Sequence, residues 1–323
     1  MALAPLNAAH AAQIQAGITG RHQGHDFEFN LAQQINNLPY PQFASVLNHP
    51  VFIGDPSRVL IGYALVYIGW ERCDRAEAIA LGALATAEDG KRWLAINGVH
   101  VSACKSDVLI TLNNNGSEPI TIGVSVKKCN NKTPTNAQLY FTTAHAFCEL
   151  LRRNGIPVSD CGETALRQFC GDQGYRPSDD PNALVGRTTD PRRFFWEEAN
   201  QTGRQELEDI FTRYQDNITR LLLQKAYSND PFTPDLILHK TKKLSSNPQE
   251  FALYSVEQLI NLSGQYQGFT KKLYSVKKGS HRDPPGVRHE APRFGIVQMQ
   301  RGGQQQHPTQ LQFNLKAGYF YKI

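Results

Sequence analysis

Asp107-Val-Leu-Ile-Thr-Leu112, then Asn113-Asn-Asn-Gly-Ser117, then Pro119-Ile-Thr-Ile-Gly-Val-Ser-Val-Lys127: the reading of the chain turns on this stretch. The first segment is apolar and β-prone, and the second is a turn by composition. In the third, Ile120, Ile122, Val124 and Val126 alternate with Thr121, Gly123, Ser125 and Lys127. A period of two sends these sets to opposite faces. The stretch therefore predicts a hairpin with Asp107 opening one strand, and with Ser125 and Lys127 on the polar face near the end of the next.

A carboxylate and a lysine on neighbouring strands suit phosphodiester hydrolysis. The carboxylate can hold Mg²⁺, which prefers hard oxygen ligands and keeps several waters. The metal polarises a phosphate, and a lysine can stabilise the developing charge or orient the attacking water.

Outward from the hairpin, a helix is expected from about Asp26 to Asn37, stopping at Pro39, and a second in the Ala-rich stretch Glu71–Ala87. Trp93–Ile96 reads as a strand. After the hairpin a helix fits Asn136–Arg153, with Gly155 in the position that commonly ends one. Asp160 and Glu163 have the spacing of a capping box opening a short helix to Gly171. A loop rich in Pro, Asp and Arg follows to Arg193. A long amphipathic helix then covers Gln205 to about Tyr227, with Leu207, Phe211, Tyr214, Ile218, Leu221 and Leu222 on one face. Strands are expected at Pro234–Leu238, Phe294–Gln300 and Gln310–Lys316, the last two flanking the loop Arg301-Gly-Gly-Gln-Gln-Gln-His-Pro308.

The chain of 323 residues is 40% hydrophobic and 20% charged, which places it among globular rather than disordered sequences. No apolar run approaches the ~18 residues of a membrane helix. Met1–Ala16 lacks the order of a secretory signal, so the expected location is cytoplasmic, with no membrane partner. The six cysteines form no CxxC pair, so reduced, mostly buried thiols are expected rather than a metal or redox site. No G-x-x-x-x-G-K-[ST] occurs, so ATP-driven chemistry has no support.

Charge is unevenly spread. From Gly264 to Ile323 there are ten Lys or Arg against two acids, a net +8, which leaves −3 of the overall +5 for the rest. A basic segment on a near-neutral body is the footprint of a phosphate-backbone binder. Lys271, Lys272, Lys277, Lys278 and Arg282 read as phosphate contacts, which position without specifying sequence. Arg301, Gln304 and Gln305, on the loop after a strand, carry the groups that distinguish guanine and adenine in the major groove. Arg192 and Arg193 also suit a DNA-facing loop.

Ser106-Asp107 followed by Ser125-Val126-Lys127 resembles the signature of the PD-(D/E)xK nuclease superfamily, an Asp followed on an adjacent strand by an acid-x-Lys. Ser106 stands in place of the usual Pro, and Ser125 in place of the second acid. Some restriction enzymes of the superfamily also carry a non-acidic residue there and draw a carboxylate from elsewhere in space. Glu28 and Glu149 are the candidates. Glu28 lies in Gly24-His-Asp-Phe-Glu28, similar to the Gly…Glu helix that often opens these nucleases. The order of parts from Asp107 onward also resembles type II restriction endonucleases: hairpin, helix, helical region, the strand at Thr233-Pro-Asp-Leu-Ile237, and a basic β segment at Phe294-Gly295 and Gln310–Phe313. Residues 1–90, apart from Gly24–Glu28, lie outside it. Pro234-Asp235 is a literal PD, but no lysine follows Glu250-Phe-Ala252, so it reads as a structural strand.

The resemblance implies an α/β fold, a mixed sheet flanked by helices, with a helical insertion and a β-rich C-terminal part. It implies a nuclease core over 1–155, a helical region over 156–230 and a basic DNA-recognition part over 231–323, the alternative being one continuous domain. It implies a hydrolase that cuts double-stranded DNA at a short specific sequence with Mg²⁺, as a monomer or homodimer. Asp107, Ser125 and Lys127 take the catalytic positions, Asp107 and Glu28 the metal, and His100 is a further candidate base or phosphate contact. A DNA-binding protein with an inactive nuclease fold and a structure-specific nuclease are the alternatives.

Overall fold

The computed structural model describes residues 8–81, 104–129, 136–186, 190–225, 230–241, 249–275, 288–301 and 309–316. The chain divides into two units, each assembled from three segments. One comprises Gln15–Ala137, Leu223–Leu259 and Lys316–Ile323, the other Met1–Ile14, Gln138–Leu222 and Ile260–Leu315. The fold is mixed α/β, as expected: a six-stranded mixed sheet in the first unit and a five-stranded antiparallel sheet in the second.

The predicted hairpin forms. Strands β5 (Val108–Asn113) and β6 (Ile120–Lys128) pair antiparallel, with Val108 opposite Val124 and Leu112 opposite Ile120. They lie inside a sheet with β2 (Val51–Ile53), β4 (Arg75–Ala80), β8 (Leu236–Lys240) and β9 (Glu250–Ser255), in the order β2-β9-β8-β6-β5-β4. Only β6 and β8 run parallel among these pairs. A core of Val108, Ile110, Leu112, Ile122, Val124, Leu236 and Leu238 packs with residues of helices α1 (Ala8–Asn36) and α2 (Pro56–Ile68), including Leu31, Ile35, Leu60 and Leu65. Each such side chain contributes about 1.5–3 kcal/mol by leaving water. The alternation along β6 then leaves Ser125 and Lys127 on the face opposite those apolar residues.

Gly123, in the middle of β6, is required by close approach: a Cβ there would collide with Ser106 Oγ and the Thr233 carbonyl. The Asp235 carboxylate also accepts from the Gly123 amide at 2.9 Å. Asp235 is thus part of the seam between β6 and β8, in keeping with a structural reading of Pro234-Asp235.

Four expectations are corrected. Glu71–Ala80 is not helical but holds β3 (Arg72–Cys73) and β4. Alanine favours helix, yet here Arg75, Glu77 and Ile79 alternate with inward Ala76, Ala78 and Ala80. The Asn36 side chain hydrogen-bonds both backbone groups of Ala78, at 2.7 and 2.9 Å, holding this edge strand against α1. Asn136–Arg153 is not one helix: β7 (Ala137–Thr142) comes first, Thr143 accepts from the Ala146 amide as N-cap, and α3 covers Ala144–Arg153. Ser159, not Asp160, caps α4 (Asp160–Cys170), and Glu163 turns to arginines instead. The expected strand Phe294–Gln300 is broken near its start by a tight turn at Gly295-Ile296, between β11 (Arg288–Phe294) and β12 (Val297–Arg301). Gly295 adopts φ +49° there, and a Cβ would press on Ser263 Oγ.

The long helix is present in two pieces, α5 (Gln201–Arg213) and α6 (Gln215–Gln224), interrupted at Tyr214. Leu207, Phe211, Ile218, Leu221 and Leu222 are buried as expected. The first helix begins earlier than predicted, at Ala8. Gly155 and Gly171 have the positive φ of helix-ending glycines. The second unit's sheet runs β10 (Phe269–Ser275), β11, β12, β13 (Leu311–Leu315), β7. Its apolar face carries Phe294, stacked on Phe211 of α5 at 4.8 Å, and Phe313, whose ring packs tilted against Phe147 of α3 at 4.5 Å. Helix α7 (Val256–Gly264) connects β9 onward to β10. Trp93–Ile96 lies outside the described residues. All six cysteines are free, four of them buried. No described helix is long and apolar enough to cross a membrane.

Candidate active site

Asp107 is fixed before its side chain makes any contact. Its amide donates to the Val124 carbonyl at 2.9 Å and its carbonyl accepts from Leu81 at 2.7 Å, extending β5 by one residue. That register sets Asp107 beside Ser125, on the polar face of the hairpin. Carboxylate oxygen Oδ2 then accepts from the Val126 amide at 2.5 Å, from Ser125 Oγ at 3.1 Å and from Lys127 Nζ at 3.4 Å. Lys127 Nζ also donates to Ser125 Oγ at 2.7 Å and to the Val126 carbonyl at 3.2 Å. Both charged side chains keep a little under a fifth of their surface exposed, so the pair is screened only partly.

Among the described residues, every hydrogen bond to the Asp107 carboxylate falls on Oδ2, which leaves Oδ1 its lone pairs. Glu28 is the nearest approach to a second acid. Burial pushes its carboxyl up to about 8, the Asp107 charge adds to that, and Lys127 opposes it. Its Oε2 stands 3.3 Å from His25 Nδ1. The neighbouring Lys128 ties this turn of α1 to the end of β6: its Nζ donates to the Gln23 carbonyl at 3.0 Å and lies 6.0 Å from the Phe27 ring.

These groups fit a hard divalent cation. A carboxyl whose proton affinity is raised by burial and by a neighbouring carboxylate with an unused oxygen is what a positive ion relieves. Among the described residues no cluster of three or more His, Cys, Asp or Glu could hold a metal. Mg²⁺ does not need one, because it binds through one or two carboxylates, retained waters and substrate phosphate.

Two further side chains belong to this neighbourhood. Burial brings the Lys105 ammonium down to about 7 and Lys127 adds to the effect, against the opposing charges of Asp107 and Asp230. His239 lies opposite Lys127 in the parallel pairing of β8 with β6, and burial followed by the Lys127 charge holds it down to about 4. Lys105 had a signal in the sequence, two residues before Asp107. His239 had none, because only the β6–β8 register brings it there.

The remaining candidates fall elsewhere. Glu149 belongs to the other unit, where it pairs with Arg152 at 3.0 Å. Lys271 lies 3.3 Å from both Glu208 and Glu290, and Lys272 is exposed on β10. Arg301 is only 8% exposed, in line with buried Leu311. Arg192 and Arg193 both approach Asp190, at 2.6 and 3.7 Å. His100, Lys277, Lys278, Arg282, Gln304 and Gln305 lie outside the described residues.

No protein-family profile and no curated protein matches the sequence. Among solved structures the chain is similar to a DNA-bound restriction endonuclease. That protein is MspI in complex with its cognate DNA, at 10% identity and a TM-score of 0.44 over 80% of this chain and 78% of that one.

Proposed function

We propose that the protein is a type II restriction endonuclease that hydrolyses phosphodiester bonds of double-stranded DNA at a short specific sequence, with Mg²⁺. The observation that carries this reading is the joined set Asp107–Ser125–Lys127 on adjacent strands, with Glu28 electrostatically coupled to it. It is the arrangement expected from the PD-(D/E)xK-like signature in the sequence.

Asp107 and Glu28 would hold the cation, which when bound supplies Lewis-acid stabilisation of charge on the phosphate. Lys127 has three donor hydrogens. Ser125, the Val126 carbonyl and Asp107 engage all three and aim the ammonium. Exchanging the long 3.4 Å contact to Asp107 would turn one donor to the attacking water or to the charge growing on the phosphate oxygens. Ser125 is a positioning residue, since it links the lysine to the aspartate. The basic C-terminal segment supplies attraction to the DNA backbone.

The test is incubation of plasmid and phage DNA, methylated and unmethylated, with Mg²⁺, beside a Lys127→Ala control. Discrete fragments that vanish in the variant are expected. One observation favours a second reading, a DNA-binding protein with an inactive nuclease fold: Ser125 stands where the signature carries an acid. DNA binding without cutting of any substrate would select it. Fragments without a fixed end sequence would select a structure-specific nuclease.

A further inference from the structure

The second unit's five-stranded sheet has an apolar face packed on helices and a polar face that is unusually rich in amides. Pairing across the sheet puts Gln298 opposite Asn314 and Gln300 opposite Gln312, so all four side chains share one face. Gln138 of β7 joins them. Gln312 Nε2 donates to Gln138 Oε1 at 3.0 Å and to Asn314 Oδ1 at 3.2 Å, and Gln300 Nε2 donates to Gln312 Oε1 at 3.4 Å. The row continues outward through Gln298 to Arg293, whose Nε donates to Thr270 Oγ1 at 3.0 Å.

One member of this cluster is left incomplete. Asn314 is 3% exposed, yet its Nδ2 has no hydrogen-bond partner among the described residues. A buried, unpaired amide donor costs about 1–3 kcal/mol. A sheet that only packed would fill this face with Thr, Val or Tyr, as β-propensity favours.

We infer that this amide-lined face of β12, β13 and β7 reads base edges of duplex DNA, with the half-buried Gln300 and Gln312 contacting an adenine in the major groove and Gln138 and Asn314 positioning Gln312. The inference rests on the reading of the protein as a sequence-specific nuclease. A primary amide both donates and accepts, which matches the N7 acceptor and N6 donor that adenine alone presents there. Three adjacent strands at the usual spacing span about 10 Å, comparable with the roughly 12 Å groove. The charge is complementary: Lys272 and Arg293 lie on strands of the same sheet, within a segment of ten Lys or Arg and two acids. The inference places readout on the strands themselves; residues 302–308 of the loop lie outside the described residues.

The test is enrichment from a pool of randomised duplexes, using Lys127→Ala protein so that bound DNA survives, and then the same background with Gln312→Ala or Gln300→Ala. Gln300 is half-buried and makes its amide contact only at the rim of the cluster, so its variant keeps the test open should Gln312→Ala not fold. The expected result is that the parent protein enriches one sequence containing an A·T pair. Each variant then loses preference at that pair by roughly 5- to 150-fold, with affinity for random duplex unchanged. Unchanged preference in both folded variants, or an enriched site of G·C pairs alone, would overturn the inference and leave the nuclease reading standing. A parent protein that enriches nothing would overturn both.

Discussion

Lys127 donates to the Ser125 hydroxyl over 2.7 Å, and through it reaches the Asp107 carboxylate. Ser125 is 1% exposed and sits where the nuclease signature has an acid; in the proposed site its neutral hydroxyl aligns the lysine while Glu28 stands in for the missing carboxylate. Ser125→Ala removes the link but neither charge. The expected outcome in single-turnover cleavage is a fall on the order of 10²-fold, the scale of a misplaced catalytic group. The urea midpoint should correspond to a loss of only about 1 kcal/mol. A Ser125→Ala protein that cuts at the parent rate would mean that Lys127 needs no alignment.

Glu28 makes stability depend on pH. The folded chain holds this proton up to about pH 8, whereas the ordinary glutamate value is 4.5. Between those values the unfolded state binds fewer protons, so stability falls as pH rises from about 4.5 to about 8. At about 1.4 kcal/mol per unit, the loss is a few kcal/mol at most. Glu28→Gln removes this contribution: between pH 5 and pH 8.5 the variant should lose clearly less urea-unfolding free energy than the parent, the opposite contributions of His239 and Lys105 being common to both. Added Mg²⁺ should restore parent stability at pH 8.5 by binding the folded state, and should do less for the variant. Equal pH slopes in the two proteins would remove Glu28 from the site.

Gly123 carries the site on its strand. Any side chain there meets Ser106 Oγ and the Thr233 carbonyl, and the latter is backbone that cannot swing away. Gly123→Ala should cost about 1–3 kcal/mol, as overpacking does. It should also weaken the β6–β8 seam, since Asp235 holds the Gly123 amide. Thermal unfolding checks the first effect. The second is read as faster hydrogen exchange at Ser125 and Lys127, whose backbone groups alternate with those of Val126 and so face β8, than at Ile110.

The hairpin was legible because period two in Ile120–Lys127 is a local signal, and so was the pairing of Asp107 with Ser125 and Lys127. The misread segments share one cause, tertiary pairing overriding a local preference. Ala76, Ala78 and Ala80 favour helix by composition, but β5 and the Asn36 side chain claim their backbone groups. Glu28 had the Gly24…Glu28 resemblance in its favour, whereas Glu149 was a candidate by residue type alone. They are separated by what surrounds them, Arg152 beside one and the Asp107 charge beside the other. His239 could not be seen at all, because a parallel pairing between distant strands leaves no trace in either strand alone. A division at residues 155 and 230 follows composition along the chain, whereas each compact unit gathers three separate segments.

Glu163 makes the opposite pH prediction. It was expected to cap its own helix. Instead it accepts from Arg152 at 2.8 Å, Arg167 at 2.7 Å and His145 at 2.9 Å. Burial alone would raise its carboxyl, but the hydrogen bonds from His145, Arg152 and Arg167 outweigh it and hold the group at about 2. A depressed carboxylate stabilises the fold fully above its ordinary value of 4.5, and that contribution is lost as pH falls toward 2. The cluster is partly open to solvent, which discounts the gain to about 1–2 kcal/mol. Glu163→Gln should therefore unfold at a lower temperature than the parent at pH 7, and the gap should close between pH 4.5 and pH 2. Salt should narrow the gap at pH 7 only slightly, since three donors converge on one carboxylate within hydrogen-bond distance. A gap that stays constant down to pH 2 would assign the loss to packing rather than to charge, and would leave α3 and α4 joined by their apolar contacts alone.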